Sequence, residues 1–409
     1  MRTNWDPNAP LTWTAPGPGG WSLDRSHANR PATPINQRVQ TVGTLRGTRR
    51  GFIEFGAPLD GLDFRFVNGL LYSRIRPLIN PDKPATKLPP LPVLKLLIRI
   101  HPLMRKRAKA AASTLATKPW RRVIAEWSRP GGIRDTYEQQ NLALQDVNLA
   151  ALSDDELVAH LHRVVEHATT MFENHFWLHN YDLGPIGILL EGASRWGLEA
   201  SDVIPLLEGA SPSTSNAERV LRGIREAIDA SGRTPATLDD VRSISPEVAA
   251  ALDQFLRLRG QIVFSRYDLD GLTLSEAPNV LLATILNARD HDSRTAASNA
   301  VLSERTASVR AKVAAQHQTE FDELLAEARS AMDLRDNNGP HTLEWPLGIM
   351  RMTLLEVGRR LAERGAAHDA AHAVELDLDE VAPALAGNGP TADQLAARQR
   401  WRQIGRAHV

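Results

Sequence analysis

The chain has 409 residues, of which 42% are hydrophobic and 23% are charged, as in a globular rather than a disordered protein. Lys+Arg and Asp+Glu are equal at 48 each, so no overall field attracts nucleic acid. Cysteine is absent, which excludes disulfides, zinc–thiolate sites, iron–sulfur clusters and thiol nucleophiles. Residues 1–20 lack the apolar core of a signal peptide, and no run reaches the ~18 apolar residues that span a bilayer. We therefore expect a soluble, cytoplasmic protein.

The first 76 residues predict a region that is irregular at first and then rich in β-structure. Prolines punctuate residues 1–37 and disfavour regular elements there. Three β-branched or aromatic runs follow, at 38–45, 51–55 and 64–72. Because Gly and Asp separate these runs, we expect a small antiparallel sheet. The proline-rich stretch 77–92 predicts an extended connector.

Beyond the connector the pattern is helical, which predicts a mainly α protein with a multi-helix domain at 93–390 and a C-terminal tail at 391–409. Ser153 and Glu156 have the spacing of a capping box. The helix they begin has six apolar residues on one face: Leu157, Leu161, Val164, Val165, Ala168 and Phe172. Similar periodicity recurs at 217–230, 247–258, 276–288, 303–332 and 346–365, the last closed by Gly365. Loops between short helices are expected at 194–216 and 231–246.

Nucleotide and hydrolase signatures are absent from the sequence. There is no GxxxxGK[ST] loop, no GxGxxG after a strand, no GxSxG and no HExxH. We therefore expect the chain to carry no complete catalytic machinery and to bind no cofactor of its own.

Five of the thirteen histidines cluster in one stretch: His160, His162, His167, His175 and His179. His175 and His179 lie four residues apart, so on a helix they share a face and have the spacing of two metal ligands. No acidic residue completes a recognisable ligand set, and we favour ordinary packing or surface roles over a metal site. A role for one or two of them in binding a polar substrate is the second interpretation.

A basic segment lies at 95–122, inside a stretch from Lys83 to Ala125 without a single acidic residue. Its cations alternate with apolar residues, as in a helix that lies on anionic lipid or docks on an acidic partner. The third interpretation, which we favour, is a helix with a buried apolar side and a solvated basic side. His101-Pro102 interrupts the segment and weakens the idea of one long amphipathic helix.

Segments near the N-terminus resemble a known family. WSLDRSH at 21–27, followed by PATP at 31–34, is similar to the W-x-L-D-x-(S/T)-H…P-x-T-P opening of the central domain in phosphoenolpyruvate-utilising enzymes. These are the relatives of phosphoenolpyruvate synthase and rifampicin phosphotransferase. FVNGLLY at 66–72 resembles the V-N-G-x-x-Y strand that follows in that family.

Further segments resemble the same family in the same order. They are RYDL at 266–269, EAP at 276–278 before VLL at 280–282, AR at 328–329, LRD at 334–336, RMTLLEVGRRLAERG at 351–365 and LDLDE at 376–380. Asp336 stands where the family usually has Glu. The resemblance covers nearly the whole chain, although no single segment is specific.

The resemblance implies one part of a three-part phosphotransfer system. In that family an ATP-grasp domain phosphorylates a histidine on a swivelling domain, which carries the phosphoryl group to an acceptor. The part resembled here is the helical substrate-binding part, and the T-S-H-A-A-like loop around the phosphohistidine is absent from this sequence. We therefore expect ATP and Mg²⁺ to be used by separate ATP-grasp and phosphohistidine subunits, with a small molecule as the substrate. Nucleic acid is not expected as a partner, and a membrane surface is not favoured.

The resemblance also implies the site residues. Asp24 and His27 would act as a general base with its orienting partner, or as hydrogen bonders. Arg266, Glu276 and Arg335 would be polar groups of the pocket wall. Each has a structural alternative: Asp24 caps a turn, Glu276 stabilises the start of the helix at 276–288, and Arg335 pairs with an acid.

Three functions follow as alternatives. The first is the acceptor-binding subunit of a split phosphotransferase, incomplete without its partners. The second is a non-catalytic protein that binds or sequesters a small molecule. The third is a peripheral membrane or assembly protein that uses the basic segment 95–122.

Overall fold

The computed structural model describes residues 15–24, 30–83, 90–288 and 291–404, with side chains throughout except at 213–215, 291–299 and 404. The described chain is mainly helical and has a three-stranded antiparallel sheet near its N-terminus, which confirms the predicted fold class. Within the described ranges, no helix combines the length and apolar character needed to cross a bilayer.

The strands and helices are given in chain order. The strands are β1 (Ser22–Leu23), β2 (Leu59–Val67) and β3 (Leu70–Pro77). The first helices are α1 (Pro34–Phe55), α2 (Leu91–Ile100), α3 (Pro102–Thr117), α4 (Trp120–Ser128), α5 (Ile133–Gln145), α6 (Asp154–Arg195), α7 (Ala200–Val203), α8 (Pro212–Ser231) and α9 (Leu238–Arg242). They are followed by α10 (Pro246–Arg259), α11 (Pro278–Asn287), α12 (His291–Lys312), α13 (Gln318–Ser330), α14 (Met332–Gly339), α15 (Trp345–Glu363), α16 (Leu378–Leu385) and α17 (Ala392–Ile404).

The strands predicted at 38–45 and 51–55 are wrong, because both runs belong to the helix α1. β-Branched residues in these runs suggested strands, but the buried positions Ile35, Val39, Gly43, Gly47 and Gly51 recur every four residues. That spacing places them on one helical face, which packs along α6. Tertiary packing therefore decides the structure of this segment against its local composition.

The face of α1 that meets α6 consists partly of glycine, which has no side chain. A Cβ atom added to Gly47 would lie 2.1 Å from the carbonyl oxygen of Glu173, and one added to Gly51 would lie 1.9 Å from Nδ2 of Asn180. At Gly47 the obstacle is backbone and leaves no room for a side chain, whereas at Gly51 the Asn180 side chain would have to move. The glycines therefore allow the two helix backbones to come close together.

The run at 64–72 forms a hairpin instead of a single strand. Asn68 and Gly69 have φ values of 51° and 71°, the left-handed pair that a two-residue type I′ turn requires. β2 and β3 pair across this turn, and β1 adds to the other side of β3 to give the order β1-β3-β2.

The long helix α6 is the centre of the fold. Its predicted capping box is confirmed, since the Ser153 hydroxyl accepts from the Glu156 N–H and the Glu156 carboxylate accepts from the Ser153 N–H. All six apolar residues predicted for its first face are buried, and all six belong to the largest core cluster together with residues of α15. Between α14 and α15 the chain widens into a π-helix, Pro340–Glu344. Pro340 and Pro346 lack the N–H that an α-helix would use there, which accounts for the widening.

The other predicted helices are found, with one break. The patterns at 217–230, 247–258, 276–288 and 346–365 correspond to α8, α10, α11 and α15, and Gly365 ends α15 with a φ of 72°. The pattern at 303–332 is split into α12 and α13 at 313–317, where no Gly or Pro marks the break. The predicted loops at 194–216 and 231–246 hold the short helices α7 and α9.

The basic segment does not have the uniformly buried apolar side that we favoured. α4 buries Trp120 and Trp127, and α3 buries Met104. No residue of α2 is buried, although its side chains are strongly amphipathic. The break between α2 and α3 falls at His101, before Pro102, as predicted.

The segment predicted as a C-terminal tail is partly a core helix. Leu395 of α17 is fully buried in the main cluster. Arg402 donates to the buried carboxylate of Glu375 from Nε at 2.9 Å and from a terminal nitrogen at 2.6 Å. A second buried network joins the start of α1 to the loop after α10, where the Asp268 carboxylate accepts from Thr33 and Asn36.

Candidate functional site

A cavity of about 1250 Å³ lies between the sheet and the helices α6 and α14. One wall is apolar, because side chains alternate between the two faces of the sheet and the residues on the cavity side are apolar. Leu62 and Phe64 of β2 face the cavity, as do Leu71 and Ile75 of β3. The opposite wall is one face of α6, formed by Phe172, His175, Phe176, His179 and Leu183. Such a cavity accommodates a molecule with a substantial apolar part.

Two histidines on the α6 wall form a hydrogen-bonded chain. Nε2 of His175 and Nε2 of His179 are 3.1 Å apart, and Nδ1 of His179 is 3.0 Å from a carboxylate oxygen of Asp182. Asp182 is fully buried, so its negative charge favours a proton on Nδ1 of His179. Nδ1 of His175 lies 3.1 Å from the Thr342 hydroxyl of the π-helix.

The chain of contacts has room for one more proton. The Thr342 hydroxyl donates to Asn338, so Nδ1 of His175 donates to the Thr342 oxygen. With both imidazoles neutral, neither of the two facing Nε2 atoms then carries a proton. An additional proton converts one imidazole to imidazolium, and the Asp182 carboxylate stabilises that charge. The pair therefore has the chemistry of a proton acceptor on the cavity wall.

Glu344, at the end of the π-helix, is a second titratable group of the cavity. Burial raises the pKa of its carboxyl from 4.5 to about 7, and the positive charge of Arg259 opposes this only in part. Tyr267 also lines the cavity, and burial together with the charge of Glu344 raises the pKa of its hydroxyl. A carboxyl group that exchanges its proton near neutral pH is common in sites that transfer protons.

Glu344→Gln is expected to remove a pH dependence of stability. Because the folded-state pKa is raised, the contribution of Glu344 is fully present below pH 4.5 and is lost as the pH rises through about 7. Relative to the variant, the wild type should lose about 2–3 kcal/mol of unfolding free energy between about pH 4.5 and about pH 8. Urea denaturation followed by circular dichroism at several pH values measures this. The exposed Glu323→Gln is the control, and an unchanged slope in Glu344→Gln would show that the pKa assignment is wrong.

Two of the residues implied by the family resemblance line this cavity. Asp24 continues β1 through a backbone hydrogen bond from its N–H to the carbonyl of Leu71, 2.9 Å long. Arg335 of α14 is exposed at the cavity and forms no salt bridge with any residue in the described ranges. Lys83 is a second exposed cation of the lining without such a partner among the described residues.

Arg266 and Glu276 lie outside the cavity and contact other parts of the protein. Arg266 donates to Asp270 at 3.0 Å and to Asp268 at 3.4 Å. Both carboxylate oxygens of Glu276 accept from Arg351 at 2.8 Å. Glu276 also accepts from the N–H of Thr273, the N-cap residue of a short 3₁₀ turn, and so completes a capping box. Both residues therefore make structural contacts, although Glu276 lies in the turn before α11 and does not begin that helix as the structural alternative supposed. His27 lies outside the described residues.

Sequence reasoning missed Glu344 and Asp182. The signal for Glu344 is a single acid inside the apolar run Leu343-Glu-Trp-Pro-Leu347, and the signal for Asp182 is its position three residues after His179. Of the other clustered histidines, His160 is buried, His167 is partly buried and His162 is exposed. Burial lowers the pKa of His167 to about 4, and its Nε2 contacts Oδ1 of Asn141 at 2.7 Å. Within the described ranges, no three His, Asp or Glu side chains are grouped as a metal ion would need.

No protein-family model matches the chain, and no curated protein matches it either.

Proposed function

We propose that the chain is the acceptor-binding subunit of a split, phosphoenolpyruvate synthase-like phosphotransferase. The observation that carries the proposal is a proton-accepting histidine pair on the wall of a largely apolar cavity. The phosphotransfer chemistry is proposed on the family resemblance, and so is the use of ATP and Mg²⁺ by separate ATP-grasp and phosphohistidine subunits. The acceptor is proposed to be a hydroxyl-bearing molecule with an apolar body.

In the proposed reaction, the acceptor hydroxyl oxygen attacks the phosphorus of a phosphohistidine on the partner subunit. The new O–P bond forms as the P–N bond breaks, and the hydroxyl proton moves to the His175–His179 pair. The Asp182 carboxylate stabilises the resulting imidazolium. Arg335 and Lys83 provide positive charge for the phosphoryl oxygens at the open side of the cavity.

The binding step is tested with a hydroxyl-bearing aromatic probe, 1-naphthol, titrated into the full chain and followed by its fluorescence. Ser73 lies on β3 between Leu71 and Ile75 and lines the cavity. Ser73→Trp fills the space and is expected to weaken binding at least about tenfold, since it removes most of the apolar surface available to the probe. Ser73→Ala leaves the space open and should bind like the wild type. Equal binding by Ser73→Trp and the wild type would contradict a ligand in this cavity.

The dependence on partners is tested separately. The purified chain with ATP, Mg²⁺ and 1-naphthol is expected to release no ADP and to form no naphthyl phosphate. ATP hydrolysis or probe phosphorylation by the chain alone would contradict the proposal of a dependent subunit. If 1-naphthol binds in the cavity but no partner-supplied phosphoryl group is ever transferred, the chain is a binding protein and not a phosphotransferase component.

A further inference from the structure

The helix α2 exposes its apolar side. Val93, Leu96 and Ile100 follow one another at the spacing of one helical face, and they are 45%, 55% and 61% exposed. Leu103, just beyond the break at His101, is 49% exposed. Four large aliphatic side chains close together on a surface mark an interaction site more often than a single exposed one does.

α2 is attached to the rest of the protein through α3. α2 packs against α3, and α3 packs against α1. The Thr114 hydroxyl donates to the carbonyl of Glu54 at 3.2 Å, and the buried Met104 faces inward. α3 thus uses its own inner face to bind the protein body, while the apolar row of α2 points outward.

Positive charge surrounds the apolar row. From Lys83 to Ala125 the sequence has no acidic residue. From α2 onward, six cations of this stretch are exposed and form no salt bridge with any residue in the described ranges: Lys95, Arg99, Arg105, Lys106, Lys109 and Arg122. By contrast, Lys118 and Arg121 of the same stretch pair with Glu327. We call the exposed part of 91–109, its aliphatic row together with its unpaired cations, the basic apolar surface.

We propose that the basic apolar surface binds an anionic lipid membrane. An interfacial helix inserts aliphatic side chains at the level of the headgroups while its cations contact the lipid phosphates. The exposed row and the flanking cations are arranged for both contacts. Each cation near an anionic membrane adds to the electrostatic attraction, so several of them together with the aliphatic row are sufficient for reversible binding.

Charge also argues against a second copy of the chain as the occupant. In a symmetric dimer the same patch would face itself. The unpaired cations of one copy would then lie opposite those of the other, without an acidic residue between 83 and 125 to offset them. An anionic lipid surface supplies the missing charge.

The test is flotation of the full chain with lipid vesicles at low salt. We expect binding to phosphatidylcholine vesicles that contain about one third phosphatidylglycerol, little binding to pure phosphatidylcholine, and loss of binding at high salt. Leu96→Asp with Ile100→Asp should weaken binding by about tenfold or more, because both side chains leave the interface. Both residues are more than half exposed, so the fold should be unaffected. Val301→Asp, at a 65% exposed position on α12, is the matched control and should bind like the wild type.

Two results would overturn the proposal. One is equal binding, or no binding, to neutral and anionic vesicles. The other is a dimer in light scattering that Leu96→Asp with Ile100→Asp converts to a monomer without any effect on vesicles, which would assign the surface to a second copy. Neither result depends on the cavity or on phosphotransfer.

Discussion

Arg402→Met should lower the free energy of unfolding by about 3–5 kcal/mol, because it leaves a buried carboxylate without its cation. Glu375 is 0% exposed and Arg402 is 3% exposed. Burial opposes the charge of Arg402, yet Glu375 and Asp270 raise the pKa of its guanidinium, so the arginine stays charged in the folded protein. Chemical denaturation followed by circular dichroism measures the loss.

Two further variants test the cause of that loss. Arg400→Met changes an exposed arginine of the same helix and should cost less than about 0.5 kcal/mol. Glu375→Leu combined with Arg402→Met should recover part of the lost stability, since no carboxylate is then buried against an apolar side chain. If Arg402→Met is no less stable than Arg400→Met, the C-terminal helix does not contribute to the core as described.

Asp268→Ala should destabilise the protein by about 2–4 kcal/mol, because several buried donors lose their acceptor. The Asp268 carboxylate accepts from the Thr33 N–H at 3.0 Å, the Thr33 hydroxyl at 2.5 Å and the Asn36 amide at 3.0 Å. These bonds hold the start of α1 to a loop more than 230 residues away. The unfolding free energy, measured as for Arg402→Met, gives the effect.

The control for Asp268→Ala is Asp253→Ala, which removes an exposed partner of Arg242 and should cost less than about 1 kcal/mol. A double-mutant cycle with Thr33→Val isolates the contact, and the two changes should be clearly non-additive. Additive effects would mean that Asp268 stabilises the protein through other groups.

The sequence predicted helices well where apolar residues recur along a long segment with clear ends. The first face of α6 and its capping box follow directly from Leu157–Phe172 spacing and from Ser153 and Glu156. The prediction from the sequence failed for α1, because the inner face of this helix is made partly of glycine. Glycine has no apolar side chain, so a helix that packs through Gly43, Gly47 and Gly51 leaves no hydrophobic period to detect.

The candidate site was less predictable than the fold, because its residues come from distant segments. The spacing of His175 and His179 predicted that they lie together. The contact of Asp182 with His179 depends on the helix, which brings residues three apart close to each other. Glu344 acquires its raised pKa from burial, which a sequence does not express. Thr33 and Asp268, each part of a segment that suggested the family resemblance, meet in a buried structural contact outside the cavity.

The glycine-containing face of α1 affects the size of the ligand that the cavity can hold. α1 leads directly into β2, which forms one wall of the cavity, and α6 carries the opposite wall with His175. The spacing of the two helix axes at Gly47 thus sets how far apart the two walls stand. A methyl group added there would move the sheet outward as a unit. A larger residue at Gly47 would therefore widen the cavity from a position that does not line it.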